Sequence, residues 1–464
     1  LSQHSRNLFF DLGSGTIQNL KYRDQWILVG QKGIKGFSPF EEISYAGTGN
    51  TYAVPVDKRL CVPQTLRGIK IRPDPLPFQN DKRRDFCSKY DGYGDFCSDM
   101  NVDKSLSPVA LLNKTLEDNP IYSTPILIIA GISHNSLRMC LETVLMQPGV
   151  NLQNVIVAVD EKFIESLALI DLFGFHGEKI PSSNVYMEHY EKALKKVWEL
   201  HPTKDKIIVI EEDLILSPDF LYTLALLSEP FRKDETIGGI AMWNPNSYED
   251  VDGSSNLIYR VDELYGLGYL LRRSFYATHM KTFSECCSKR VWDRWKFDDN
   301  SHSFLIPDIS RVFRRPVDGN HDNMKYLERL FNRKRKTSLN PFPGLTNVDT
   351  LRKETYDATL SKSIASAILL KLPTKCDTLF KIDISVYNTS QTFKYIYNQS
   401  SSTDYSNLSL ITRCFGLFYH ETTNPMGLYH GVLRFSSNDN NYYLVGSKSS
   451  LYSSSSDPVR IQST

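Results

Sequence analysis

The alternation of apolar and polar positions changes its period along the chain, and each change marks a different kind of element. Residues 126–130 and 155–159 are unbroken apolar runs of buried-strand length, and 206–210 read as a third strand in which Ile207-Ile208-Val209-Ile210 follows Lys206. Between the first two, residues 136–147 repeat Leu137, Leu141, Val144 and Leu145 at helical spacing. Residues 161–173 read as a second helix, and 190–200 as a third with Ala193, Leu194, Val197 and Trp198 on one side. Continuous apolar strands separated by helices predict right-handed crossovers and a mostly parallel sheet covered on both faces. After about residue 374 the period shortens to two. Ile382, Ile384 and Val386 alternate within 381–387, and 432–445 read as two strands around a Ser-Ser-Asn-Asp-Asn turn, which together predict a small β-rich module.

The first part of the chain is less regular. Trp26-Ile27-Leu28-Val29-Gly30 is strand-like after the turn-prone Arg23-Asp24, but the segment ending near Cys61 is small for an independent core. Residues 72–122 read as an irregular linker pinned by a disulfide, with Cys87 and Cys97 bracketing Gly92-Tyr93-Gly94. The Lys82-Arg83-Arg84 run, and the four cations from Arg333 to Lys336, read as solvated faces. The Ser-rich stretch from Ser447 reads as a disordered tail. The expected organisation is a partial stem domain (1–70), linker (71–122), α/β domain (123–365), β-rich module (366–446) and tail (447–464).

Composition narrows the function. With 464 residues, 54 basic and 53 acidic side chains and a net charge of +1, the chain lacks the basic surplus that phosphate backbones demand, so no nucleic-acid partner is expected. A 41% hydrophobic and 23% charged make-up is that of globular protein. No run approaches the roughly 18 apolar residues needed to span a bilayer. The chain starts at Leu1 without a charged and then apolar leader, so a membrane anchor is expected only upstream of this sequence. Sequons at Asn113, Asn388, Asn398 and Asn407, with the bracketing pairs Cys87/Cys97 and Cys376/Cys414, favour the secretory pathway.

Chemistry collects at strand ends in open α/β sheets, and Glu211-Glu212-Asp213 follows the run 206–210 directly. Three adjacent carboxylates repel one another unless a cation offsets them, so a hard divalent metal on a diphosphate is one reading; capping of the helix begun by Ser217-Pro218-Asp219 is the other. Trp292-Asp293 sets a carboxylate beside an aromatic plane, which suits orienting and deprotonating a sugar hydroxyl, or else a core aromatic beside a surface Asp. Gly266-Leu267-Gly268 permits close approach to a ligand or simply a turn. His189 opens the third predicted helix, where the dipole favours phosphate, or serves as a packing histidine. No Gly-x-Ser-x-Gly elbow, Walker loop or HExxH motif occurs.

These residues together carry a family resemblance. Arg23-Asp24-Gln25-Trp26 with Val29-Gly30-Gln31-Lys32-Gly33, Phe86-Cys87-Ser88-Lys89, His189-Tyr190, Glu211-Glu212-Asp213-Leu214, Trp243-Asn244, Tyr259-Arg260-Val261, Gly266-Leu267-Gly268, Trp292-Asp293 and Ile306-Pro307-Asp308 are the matching positions. The chain resembles the protein O-linked-mannose β-1,2-N-acetylglucosaminyltransferases and, more distantly, the α-mannosyl N-acetylglucosaminyltransferases I of N-glycan processing. The resemblance implies a lectin-like stem and a GT-A fold that binds UDP-N-acetylglucosamine with Mn2+, inverts the anomeric centre and acts on an O-mannosylated glycoprotein. It also implies a Golgi-lumenal, type II membrane protein.

By the same resemblance Asp213 is the metal ligand, Glu211 and Glu212 face the ribose and sugar, and Asp160 contacts uracil. Asp293 is the general base, Trp292 lines the sugar pocket, and His189, Arg260, Gly266 and Gly268 belong to the substrate site. With few basic residues nearby, the metal alone is expected to neutralise the leaving diphosphate. The chain departs from the family pattern at Ile132-Ser133-His134, at Pro245, and at Arg314-Arg315-Pro316, the last where a mobile loop opens over the donor. These departures support a rival reading, a catalytically weakened homologue that binds glycans or scaffolds a partner.

Overall fold

The computed structural model describes the chain apart from residues 31–34, 37, 39–40, 48–51, 57–79, 112, 132–133, 184, 252, 281–294, 298–300, 315–329, 371–389, 420–423, 438 and 453–464. It divides into two compact units, Leu1–Leu106 and Ser107–Thr464.

The first unit holds helix α1 (Gln3–Asp11), the antiparallel ribbon of β1 (Gln25–Leu28) and β2 (Glu41–Ser44), and helix α2 (Asp81–Lys89). Glu41 organises the ribbon by accepting from the Trp26 indole at 2.8 Å, the Gly15 amide at 2.7 Å and the Thr16 hydroxyl at 2.8 Å. The expected irregular linker contains a helix: Asn80 accepts from the Arg83 amide at 3.1 Å and caps α2. Cys87 and Cys97 form a disulfide. Arg83 departs from the solvated face expected of its charge run. It is buried, donates to the Phe96 carbonyl at 2.7 Å and lies 3.7 Å over that ring.

The second unit is built on an eight-stranded sheet. In chain order its strands begin with β3 (Ile126–Ile129), β4 (Val155–Asp160), β5 (His176–Ile180) and β6 (Lys206–Glu211). A short β7 (Leu214–Leu216) leaves this sheet, and β8 (Ile237–Ala241) and β9 (Ile258–Val261) return to it. Then come β10 (Glu263–Leu264), β11 (Tyr269–Arg272), β12 (Trp295–Lys296), β13 (Ser303–Pro307) and β14 (Val312–Arg314).

The order across the main sheet is β5-β4-β3-β6-β11-β8-β13-β9. β5, β4, β3 and β6 are mutually parallel, and β11 enters antiparallel between β6 and β8. Helices α3 (His134–Leu145), α4 (Ile164–Leu172) and α5 (Tyr186–Leu200) supply the crossovers. β3 and β4 are buried at every position, as the unbroken apolar runs predict for strands covered on both faces, and so is β8, which the sequence reading did not mark as a strand. The mixed-polarity β5, His-Gly-Glu-Lys-Ile, carries no such run and is found only as the sheet's edge.

Two ribbons flank the sheet: β7 with β14, and β10 with β12. Helix α6 (Phe220–Leu226) follows β7. The β-rich module is a five-stranded sheet of β15 (Ile368–Leu369), β16 (Thr392–Tyr397), β17 (Leu428–Tyr429), β18 (Val432–Ser437) and β19 (Asn440–Gly446), in the order β15-β16-β19-β18-β17. The β18–β19 hairpin is the pair read from the alternation at 432–445. The strand expected at 381–387 and most of the expected tail lie outside the described residues. Cys414 is disulfide-bonded.

Candidate active site

The parallel register sets the ends of β4, β3 and β6 side by side. Ile129 faces Glu211 across β3 and β6, and Ile129 faces Ala158 across β3 and β4. Asp160, Ala130-Gly131 and Glu211-Glu212-Asp213 therefore meet at one edge, where open α/β sheets bind ligands. All three triad carboxylates are buried. They cap no helix: β7 intervenes, and α6 begins after Asp219.

The four acidic residues of this edge have different surroundings. Glu212 accepts from the Gly131 amide at 3.0 Å. Glu211 accepts from the Tyr186 hydroxyl at 2.6 Å, and its other oxygen is buried with no hydrogen-bond partner. Burial, with the charge of Asp213, pushes the Glu211 carboxyl up to about 8, against the opposing pull of the Tyr186 hydroxyl and Arg314. It is therefore protonated at neutral pH. Asp213 takes the Arg314 Nε at 2.8 Å on Oδ2, while its buried Oδ1 has no partner. Asp160 is different again: burial pushes it up, but the Ser182 hydroxyl at 2.5 Å and the Lys162 amide at 3.1 Å outweigh this and hold it at about 2.

His189 lies one turn inside α5 rather than at its start, because the helix begins at Tyr186. It donates to the Ala130 carbonyl at 2.9 Å, and its Nε2 lies 3.8 Å from where a Cβ on Gly131 would stand. Burial lowers its affinity for a proton against the pull of the Ala130 carbonyl, so it is a neutral packing group behind the site and not the anion-binding residue expected. Tyr186 escaped the sequence reading. Its only signal was Tyr190 one turn later, and the two rings lie 6.1 Å apart. The Tyr190 hydroxyl pairs with that of Tyr269 at 2.7 Å. Trp295 packs edge-on against both rings, at 5.8 and 5.5 Å. Trp292 and Asp293, in the chain segment leading to Trp295, lie outside the described residues.

Two substrate assignments from the sequence are corrected. Arg260 points away into the core. Its five N–H donors meet Ser303 twice, Asp234 at 2.8 Å, Thr236 at 2.7 Å and the Leu351 carbonyl at 2.8 Å, so none remains for a substrate. Gly268 has φ of +66°, and a Cβ there would meet Val312 Cγ1 at 2.8 Å and Phe220 at 3.4 Å, so its smallness serves protein packing. Gly266 is buried in the same loop, ahead of β11, whose Tyr269 pairs with Val209 on β6. The run at Arg333 is no solvated face either. Arg335 lies 4.8 Å over Trp243 and donates to the Asn244 carbonyl at 2.8 Å.

A model matching the GNT-I family covers residues 181–454, over half of the chain. The chain belongs to the GNT-I family. Its α/β architecture with a mainly parallel central sheet is the GT-A-like fold expected of such a member. An α-1,3-mannosyl-glycoprotein 2-β-N-acetylglucosaminyltransferase of Arabidopsis thaliana is 27% identical over 128 residues, 27% of this chain and 28% of that protein. The match thus spans little more than a quarter of that relative. Protein FAM3C of Homo sapiens is 52% identical over 42 residues, 9% of this chain and 18% of its own. Among solved structures, an inositol-1-phosphate CTP transferase from T. maritima overlaps 44% of this chain and 93% of its own at 14% identity and a TM-score of 0.27. That overlap is too loose to bear on the site.

For this GNT-I member the Mn2+ expectation meets an obstacle. The partnerless oxygens of Glu211 and Asp213 suit a cation, but a divalent ion of this kind takes about six oxygen ligands. Among the described residues no group of three His, Cys, Asp or Glu side chains is placed to hold one. Arg314 already sits on Asp213, and a second cation there would face its charge. While Arg314 holds Asp213, the residues present do not fit the ion. No described helix is long and apolar enough to cross a membrane.

Proposed function

We propose that the chain is a Golgi-lumenal glycosyltransferase that moves N-acetylglucosamine from UDP-N-acetylglucosamine in β-1,2 linkage to mannose on a glycoprotein, O-linked mannose being the acceptor that the sequence resemblance favours. The observation that carries this reading is the buried carboxylate triad at the end of β6 in a GNT-I family member. The activity by which the Arabidopsis relative is named supports the sugar and the linkage. An N-glycan mannose acceptor accords equally with that relative.

Inversion in one displacement needs a base on the acceptor side and a counter-charge for the departing diphosphate. Asp293 is assigned the first role, taking the proton of the mannose 2-hydroxyl as its oxygen bonds to the sugar's anomeric carbon, with Trp292 against the sugar face. Glu212, fixed by the Gly131 amide, and Glu211, protonated and able to donate, face the donor. Two labelled acceptors, an O-mannosylated peptide and an α-1,3-mannosyl N-glycan, decide the specificity. Transfer to the peptide supports the finer reading, and transfer to the glycan alone replaces it. Asp293→Asn is expected to lower turnover by about 10²- to 10⁴-fold. No transfer to either acceptor favours the glycan-binding homologue.

A further inference from the structure

We propose that Arg314 stands in for the divalent cation at Asp213, so that a tethered guanidinium, and not Mn2+, meets the donor's diphosphate. The inference rests on the reading of this edge as a nucleotide-sugar site.

Arg314 is placed there by the backbone. Its Cα pairs with that of Leu214 across the β7–β14 ribbon, one residue beyond Asp213, and its Nε donates to Asp213 Oδ2 at 2.8 Å. Both side chains are buried, at 8% and 7% exposure, so the pair is not a surface contact. Phe331 backs the guanidinium at 4.8 Å. The ribbon itself is pinned at its root. Arg311 and Asp219, both at 0% exposure, pair at 2.6 Å, and the Arg311 carbonyl accepts from the Ser217 amide at 2.9 Å. The missing side chain of Gly268 lets Val312 close on the sheet. The backbone that carries Arg314 is therefore held in a packed strand pair, unlike that of an arginine on a free loop.

Chemically the replacement is sound. A guanidinium is charged at every working pH and offers a planar fork of donors matched to phosphate oxygens. As the acceptor oxygen bonds to the anomeric carbon, the bond from that carbon to the β-phosphate oxygen breaks and its electron pair leaves with UDP. The acceptor proton goes to Asp293. Arg314 stabilises the new charge and exchanges no proton itself. The sequence expectation that no basic residue serves the leaving group is thereby reversed.

UDP titrated by calorimetry onto the full chain, in EDTA and in MnCl2, tests this. The wild type is expected to bind with affinities agreeing within about threefold in the two buffers. Arg314→Ala is expected to lose about 10- to 100-fold in EDTA, the range of a hydrogen bond to a charged group, and to regain affinity when Mn2+ fills the vacated position. Arg314→Lys keeps the charge without the fork and serves should the alanine variant not fold; it is expected to lose about tenfold in EDTA, with no gain from Mn2+. Wild-type binding seen only with Mn2+, or folded variants that match the wild type in EDTA, overturns the role of Arg314 and leaves the donor-site reading standing. No UDP binding by the wild type in either buffer overturns that reading and this inference with it.

Discussion

Two of the buried ion pairs among the described residues of the second unit, Arg260–Asp234 and Arg314–Asp213, are finished to different degrees. Around Arg260 and Asp234 every polar group is matched. Asp234 accepts from Thr236 twice, from Arg260 at 2.8 Å and from the Lys353 amide at 2.7 Å, and Arg260 has each donor engaged. Burial pushes the Asp234 carboxyl up, but these bonds outweigh it and hold the group below its ordinary value. At the end of β6, Glu211 and Asp213 each keep a buried oxygen with no partner, and Glu211 is pushed the opposite way. Both regions bury charge within one domain, so burial alone does not mark a site. A saturated network has no capacity left for a ligand, whereas an incomplete one is expensive unless a ligand or proton completes it.

The largest effect should come from breaking the saturated region. Asp234→Ala leaves the Arg260 guanidinium buried without its carboxylate and is expected to lower stability by about 3–5 kcal/mol, read from urea unfolding. Asp213→Asn, at the unfinished end, removes a negative charge crowded beside Glu212 and keeps an oxygen for Arg314, so it should stay within about 1 kcal/mol of the wild type. Equal losses in the two variants would mean that the Asp213–Arg314 pair is as structural as the other, and the contrast would dissolve.

The difference also explains what could be read from the chain and what could not. The strands β3, β4 and β6 and the helices between them were legible because burial on both faces writes an unbroken apolar run into the sequence. The triad was legible because three carboxylates following such a run have no packing purpose. Arg260 was misplaced since local pattern cannot tell an arginine aimed at a ligand from one aimed at Asp234, 26 residues earlier in the chain. Arg314 was set down as a departure from a loop pattern, whereas its partner Asp213 lies 101 residues earlier and is reached only through the β7–β14 register. Pairings of that range leave no periodicity behind.

An intermediate effect is expected from proton linkage at Glu211. The folded state holds this carboxyl's proton up to about 8, while the unfolded chain releases it near the ordinary value of 4.5. Its contribution to stability is therefore fully present below about pH 4.5, falls as pH rises and is lost once the folded group ionises near 8. Glu211→Gln removes the ionisation, so its unfolding free energy should lose this decline, at most about 1.4 kcal/mol per pH unit, between pH 5 and 8. Identical pH profiles for the variant and the wild type would show that Glu211 ionises normally in the fold.

The smallest change probes the tyrosine that shapes the unfinished end. Tyr186→Phe deletes the hydroxyl 2.6 Å from Glu211, a bond that favours the carboxylate over the acid. Its loss should lower stability at neutral pH by about 1 kcal/mol. The direction of the titration shift is the sharper readout. Without the hydroxyl, Glu211 should hold its proton to still higher pH, so the decline in stability should extend further into the alkaline range than in the wild type. In a Glu211→Gln background the same change should leave the pH profile unaltered, because no carboxyl remains at 211 to respond. A shift that persisted there would trace the effect to Tyr190 or Tyr269, whose paired hydroxyls lie in the same buried layer, and would separate the tyrosines from the chemistry assigned to the triad.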